Sequence, residues 1–191
     1  AILFADIRAF TEFSEKKLPY DVVFVLNQYF RTMGEAVERA GGQLDKFIGD
    51  GVMALFGIDG DPEAGCRSAL EAARRMAVGL KELNENLKND LPEPLRIGIG
   101  VHVGSVIVGD MGYAGTRSVT AIGDPVNTAS RLEAMNKEYT SQLIVSDKVA
   151  THAGMDLSAQ RSESVAVRGR VEPFKVYILE DAADIKELLE T

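Results

Sequence analysis

The chain has 191 residues, 46% of them apolar and 26% charged, and its 29 acidic against 21 basic side chains leave a formal charge of −8. That is the make-up of a soluble globular domain large enough for a sizeable core, and no apolar run approaches the ~20 residues of a membrane-spanning helix. The acidic balance excludes bulk electrostatic binding to nucleic acid or anionic lipid, so an anionic substrate has to be met by local cations or metal ions.

Residues 1–7 read as a short apolar strand carrying a carboxylate, Asp6, near its end. With no starting Met and no charged-then-apolar leader, the chain is expected to be a piece of a longer protein, without a secretory signal and with regulatory or membrane segments upstream. Residues 11–17 follow as one or two helical turns whose first N–H groups sit beside Asp6, a natural phosphate cradle. From Tyr20, apolar residues recur at Val23, Leu26, Phe30, Met33, Val37 and Ala40, the spacing of an amphipathic helix that Gly41-Gly42 stops. Residues 43–57 predict two short strands joined at Gly49-Asp50. Glycine on both sides of Asp50 keeps its carboxylate reachable and lets a ligand approach the backbone.

Asp61-Pro62 caps and opens a second long helix, with Pro at its first position and an apolar stripe through Cys66, Leu70, Ala73, Leu80, Leu83 and Leu87 to about residue 90. Cys66 reads as a small buried hydrophobe, and as the single cysteine it excludes an internal disulfide and points to a reducing cytoplasm. Residues 95–103 alternate as a strand, with Arg96, Gly98, Gly100 and His102 on one face; so much glycine implies something packed very close. Residues 105–109 are expected to be its hairpin partner, 111–117 a Gly-containing loop and 118–122 a short strand. Asp124-Pro125 repeats the cap-then-Pro signal for a third helix from 126 to about 137. A strand at 142–145, a short helix at 147–153, strand pieces at 165–167 and 174–179 and a basic turn, Arg168-Gly169-Arg170, complete the order, and the acidic end from Glu180 reads as a surface helix or frayed tail. Strand–helix–strand–strand–helix–strand predicts an α+β domain with a ferredoxin-like βαββαβ core, helices on one face of the sheet, and additional C-terminal strands. The other face needs cover from the second half of the chain or from another subunit.

Two carboxylates at strand ends, Asp6 and Asp50, are how a protein holds hard divalent cations against phosphate oxygens, although each alone also fits a helix cap or a turn. Asn127 and Arg131, four apart near a helix start, share one face and suit a sugar hydroxyl and a phosphate; a solvated polar face has the same pattern. Arg117 and the basic turn are weak signals alone. His102 is expected to sit in its strand with a satisfied hydrogen bond, and GxGxxG, Walker A and Ser/His/Asp patterns are absent.

Together, FADIRAFT (4–11), LNQYF (26–30), DKFIGDGVMALFG (45–57), RIGIGVHVG (96–104) and VTAIGDPVNTASRLE (119–133) resemble the class III purine nucleotide cyclase catalytic domain, and bacterial adenylate cyclases most closely. The resemblance runs over nearly the whole chain, with the motifs in the family's order. It implies that residues 1–180 form one catalytic domain followed by an acidic tail, 181–191. It further implies that Asp6, Asp50 and the backbone carbonyl of Ile7 bind two divalent cations per site, Mg²⁺ or Mn²⁺. Lys46 and Thr120 match the pair that reads adenine, Asn127 the residue that positions the ribose and Arg131 the one that stabilises the transition state at the α-phosphate. Arg170, and in a looser alignment Arg117, fall where basic residues meet the terminal phosphates. In that family the site lies between two subunits, so a chain carrying every element implies a symmetric homodimer with two equivalent sites and an inactive monomer. The implied reaction is ATP to 3′,5′-cyclic AMP and pyrophosphate in the cytoplasm, under an upstream regulatory domain. Rival expectations are guanylate or mixed specificity, for which an acidic residue and Cys are typical in place of Lys46 and Thr120, and a silent nucleotide-binding or dimerisation module. A diguanylate-cyclase-type palm is a further alternative, whose Gly-Gly-acidic-acidic-Phe signature Gly49-Asp50-Gly51 does not supply. Ala9 and Pro125 depart from a frequent Gly and a frequent Thr of the family.

Overall fold

In chain order the strands are Ile2–Ile7 (β1), Gln43–Ile48 (β2), Gly51–Leu55 (β3), Ile97–His102 (β4), Ile107–Tyr113 (β5), Thr116–Ile122 (β6), Leu143–Ser146 (β7), Arg161–Val165 (β8) and Phe174–Leu179 (β9). The helices are Phe10–Glu15 (α1), Pro19–Arg39 (α2), Pro62–Asn86 (α3), Asp124–Tyr139 (α4) and Asp147–Ala153 (α5). The computed structural model describes residues 1–113, 116–166 and 172–185, with the backbone alone described at 113 and 116–118.

β1 is apolar on both faces. Leu3, Ala5 and Ile7 enter the main core, while Ile2 and Phe4 enter a second layer with Met53, Leu55 and Ala129. A strand of that kind belongs in the middle of a covered sheet. β1 accordingly pairs antiparallel with β3 and with β4 inside a seven-stranded sheet of order β2-β3-β1-β4-β7-β9-β8. The first four strands, with α2 and α3 as their crossovers, form the expected ferredoxin-like unit. β7, β9 and β8 extend it from β4, with β4 and β7 parallel and the remaining pairs of this sheet antiparallel.

α2 and α3 cover one face through the main core, and α4 covers the other, so the chain's own second half supplies the missing layer. The two glycines of β4 explain how closely. A Cβ at Gly100 would collide with the α4 backbone at Ala129 and Glu133, and one at Gly98 would collide with the Arg8 guanidinium. α3 begins as expected, its Asp61 side chain accepting from the Ala64 amide at 2.9 Å with Pro62 in the first turn. Cys66 is fully buried, and burial pushes its thiol up to about 11. His102 is buried with Nδ1 2.8 Å from Ser146 Oγ, as the sequence predicts.

Several expectations are corrected. Residues 105–109 do not pair with β4, both of whose edges are taken by β1 and β7. Residues 107–113 instead form β5, which pairs with β6 in a separate two-stranded ribbon, so most of the expected 111–117 loop is strand. The buried face of α2 is Val25, Tyr29, Met33, Ala36 and Val37, which leaves Val23 and Phe24 half exposed at its flank. α4 starts at Asp124, with Gly123 as its N-cap and no side-chain cap bond. β8 runs from Arg161 to Val165 and so meets the expected 165–167 strand at Val165 alone, with residue 167 outside the described residues. Ala182 and Ile185 are buried in the main core, so the described part of the expected surface helix or tail packs on the domain, and residues 186–191 lie outside the described residues. Arg168, Gly169 and Arg170 lie outside the described residues.

Candidate active site

Strand alternation sends Ile2, Phe4, Asp6 and Arg8 toward α4. Gly49, at φ 62°, makes the β2–β3 turn in a conformation that a side chain disfavours, and the pairing of Ala5 with Val52 sets Gly51 beside Asp6. A Cβ on Gly51 would lie 3.1 Å from the Ile48 carbonyl and 3.7 Å from Asp6 Oδ1. The turn therefore delivers Asp50 to Asp6. Asp6 is half-buried, and its Oδ1 is buried with no hydrogen-bond partner. Its pKa is raised to about 7, first by burial, then by the hydrogen bond and charge of Asp50, then by the Glu133 charge. An orphaned buried acceptor, a second carboxylate in contact and a local excess of negative charge fit a hard divalent cation. Ile7, whose carbonyl is the expected third ligand, is the adjoining residue and ends β1. Among the described residues no group of three or more Asp, Glu, His or Cys side chains gathers to hold a metal.

Three neighbours of this pair were not picked out by the sequence reading. Arg8 Nη2 forms an ion pair with Glu133 Oε1 at 2.9 Å and donates to the Glu133 carbonyl at 3.0 Å, tying β1 to α4 beside the carboxylates. Burial outweighs the Arg8 charge at Glu133, whose pKa is raised. Tyr29, from α2, is fully buried with no partner for its hydroxyl, and after burial itself the charges of Asp6 and Asp50 push its pKa upward. The glycines at 98 and 100 were the available sequence signal that something bulky crosses this face.

Lys46 and Thr120, on β2 and β6, come to one point. Thr120 Oγ1 donates to Asp45 Oδ2 at 2.8 Å, and Lys46 Nζ lies 3.3 Å from the same oxygen. Neighbouring strand residues ordinarily face opposite ways. Here the pairing shifts from Leu44↔Ala54 to Lys46↔Met53, so Asp45 is the extra residue of a β-bulge and its side chain is re-aimed. The Asp45 side chain is wholly buried, with Oδ1 unpartnered.

Asn127 and Arg131 lie on α4, exposed and half-buried respectively, while Thr128, Ala129 and Leu132 on its other side are buried. Pro125 fits the first turn and packs on Gly104. The Arg117 backbone pairs with Gly112 in the ribbon; its side chain and the whole of Arg170 lie outside the described residues. The structure thus brings Asp6 to Asp50 and Lys46 to Thr120, and sets Asn127 and Arg131 along one helix.

Comparison with known proteins places this geometry. Residues 1–181 match the family described as the adenylate and guanylate cyclase catalytic domain. An adenylate cyclase of Anabaena cylindrica is 37% identical over 184 residues, and adenylate cyclase 1 of Rhizobium meliloti is 34% identical over 180. Each alignment takes in 92% of this chain, which spans 36% and 26% of those proteins' lengths. Among solved structures, the guanylyl cyclase Cya2 superposes with a TM-score of 0.83 at 30% identity, covering 93% of this chain and 89% of its own. The adenylyl cyclase CyaB from P. aeruginosa gives 0.83 at 29%, covering 94% and 92%. The equal scores mean that backbone shape alone does not choose the base.

Proposed function

Because the chain belongs to the adenylate and guanylate cyclase catalytic domain family, we propose that it is an adenylate cyclase domain. It converts ATP to 3′,5′-cyclic AMP and pyrophosphate at two equivalent sites shared across a homodimer. The observation that carries ATP over GTP is the convergence of Lys46 and Thr120 on one buried carboxylate. A lysine donor suits the unprotonated N1 of adenine, and a hydroxyl suits its 6-amino group.

Asp6, Asp50 and the Ile7 carbonyl would hold the divalent cations, Mg²⁺ or Mn²⁺, which supply a lowered pKa at the ribose 3′-hydroxyl and neutralise phosphate charge. Asn127 orients the ribose so that its 3′-oxygen lies in line with the α-phosphorus. Arg131 meets the charge that grows on the α-phosphate in the transition state, and Arg170, with Arg117, meets the departing pyrophosphate. No histidine is assigned to proton transfer.

One protomer contributes the aspartates, and its partner the base-reading pair, Asn127 and Arg131. Exposed apolar side chains support such a face: Phe47 and Ile48 on β2, and Ile107, Val119 and Ile122 on the neighbouring ribbon. The chain spans only part of the length of these relatives, which supports a longer protein; a regulatory domain upstream and a cytoplasmic or membrane-anchored setting belong to the same proposal. Turnover of Mn·ATP and Mn·GTP by the purified chain, with its mass in solution measured alongside, tests the proposal. Cyclic AMP from a dimer is expected; a confirmed dimer that makes none overturns it.

A further inference from the structure

We infer that Asp45 is a positioning residue that sets the hydrogen-bond polarity by which the base is chosen, an inference that rests on Lys46 and Thr120 reading the base. As a carboxylate paired with Lys46, Asp45 can only accept hydrogen bonds. The Thr120 hydroxyl proton is committed to Asp45 Oδ2 at 2.8 Å, so Thr120 Oγ1 faces a ligand as an acceptor. Lys46 Nζ, 3.3 Å from the same oxygen, is held beside it as an ion pair and keeps its N–H donors for a ligand. A donor beside an acceptor complements a 6-amino purine, whose N1 accepts and whose amino group donates. A 6-oxo purine presents N1–H and a carbonyl oxygen, and mismatches both.

Burial makes the lock firm. The Asp45 side chain has no exposed surface, so water does not compete for Oδ2, and the β-bulge holds it on the same side as Lys46. A neutral group at this position would let the Thr120 hydroxyl rotate and donate outward, which a 6-oxo purine accepts.

The test compares ATP with inosine triphosphate, which differs at the 1,6 edge alone, in wild type, Asp45→Asn and Asp45→Ser. Affinities of the non-cyclising 3′-deoxy forms of both nucleotides are measured beside kcat and KM. Asp45→Asn keeps the shape and removes the charge; Asp45→Ser, smaller and able to donate, stands in if the first does not fold. The expected result is a fall of about tenfold in the ATP preference, carried by affinity and KM rather than kcat. Equal losses for both nucleotides mark a merely structural role and overturn the inference. Thr120→Val and Lys46→Ala separate the two levels. If they shift the preference while Asp45→Asn does not, the inference fails and the base-reading assignment stands; if neither shifts it, both fail.

Discussion

The carboxyls of Asp6 and Asp50, on β1 and on the turn between β2 and β3, lie in hydrogen-bonding contact, and after burial, the larger cause, this contact raises the energy of charging Asp6. Asp6 consequently holds its proton up to about pH 7 in the folded chain, whereas in the unfolded chain it releases it near the ordinary carboxylate value of 3.8. Between those limits the folded state binds more protons, so this group's contribution to stability falls as pH rises through that window. A divalent cation needs the deprotonated pair and competes with the proton. The thermal stabilisation given by Mn²⁺ is therefore expected to be larger at pH 8 than at pH 6, and to shrink at both in Asp6→Asn. Melting curves with and without the metal measure it, and a shift that is the same at both pH values contradicts the metal assignment.

Glu133 and Arg8 hold α4 against β1 through an ion pair that is nearly closed to solvent, with 11% and 13% of the two side chains exposed. Burial costs this pair much of what attraction returns, yet removing one partner strands the other. Glu133→Ala leaves the guanidinium with the Glu133 carbonyl alone, and Arg8 Nη1 is already buried without a partner. Chemical denaturation should show a loss of about 3–5 kcal/mol. A loss below about 0.5 kcal/mol, the range of ordinary surface substitutions, would rule out a structural role for the pair.

Ala9 sits at φ 56°, in the left-handed region, as the residue before α1. An L-residue pays about 1–2 kcal/mol for that conformation, and glycine gives back part of the gain through its freer unfolded chain. Ala9→Gly is expected to stabilise the domain by about 0.5–1 kcal/mol in equilibrium denaturation. A destabilised variant would mean that the left-handed conformation at residue 9 is not what limits stability there.

Much of the fold was legible because it is local. Caps and 3–4 spacing marked α2, α3 and α4 to within a few residues, and the alternation of 95–103 with glycines on one face foretold the tight contact that Arg8 and α4 make. Pairing was less legible. β5 shows strand pattern, but nothing in its residues says that β6 rather than β4 is its partner, since β4 is claimed by strands far away in sequence. The site divides the same way. Asp6, Asp50, Asn127 and Arg131 stand out by residue type and placement at strand ends and a helix start, while the roles of all four, and the pairing of Lys46 with Thr120, come from motif resemblance, which carries spacing. Asp45 was passed over because strict alternation turns it away from Lys46, and a bulge that reverses this depends on the facing strand. Glu133 and Tyr29 matter through what burial does to them, which sequence does not display.

The shared-site homodimer is tested most directly by mixing two inactive variants, Asp50→Ala, which lacks a metal carboxylate, and Arg131→Ala, which lacks the α-phosphate cation. Each homodimer has two broken sites. A heterodimer places both lesions in one site and leaves the other whole, so the mixture is expected to recover cyclic AMP synthesis toward a quarter of the wild-type rate at equal concentrations, on the order of one good site in half of the dimers. A mixture that exchanges subunits and stays as inactive as both parents contradicts a site shared between protomers.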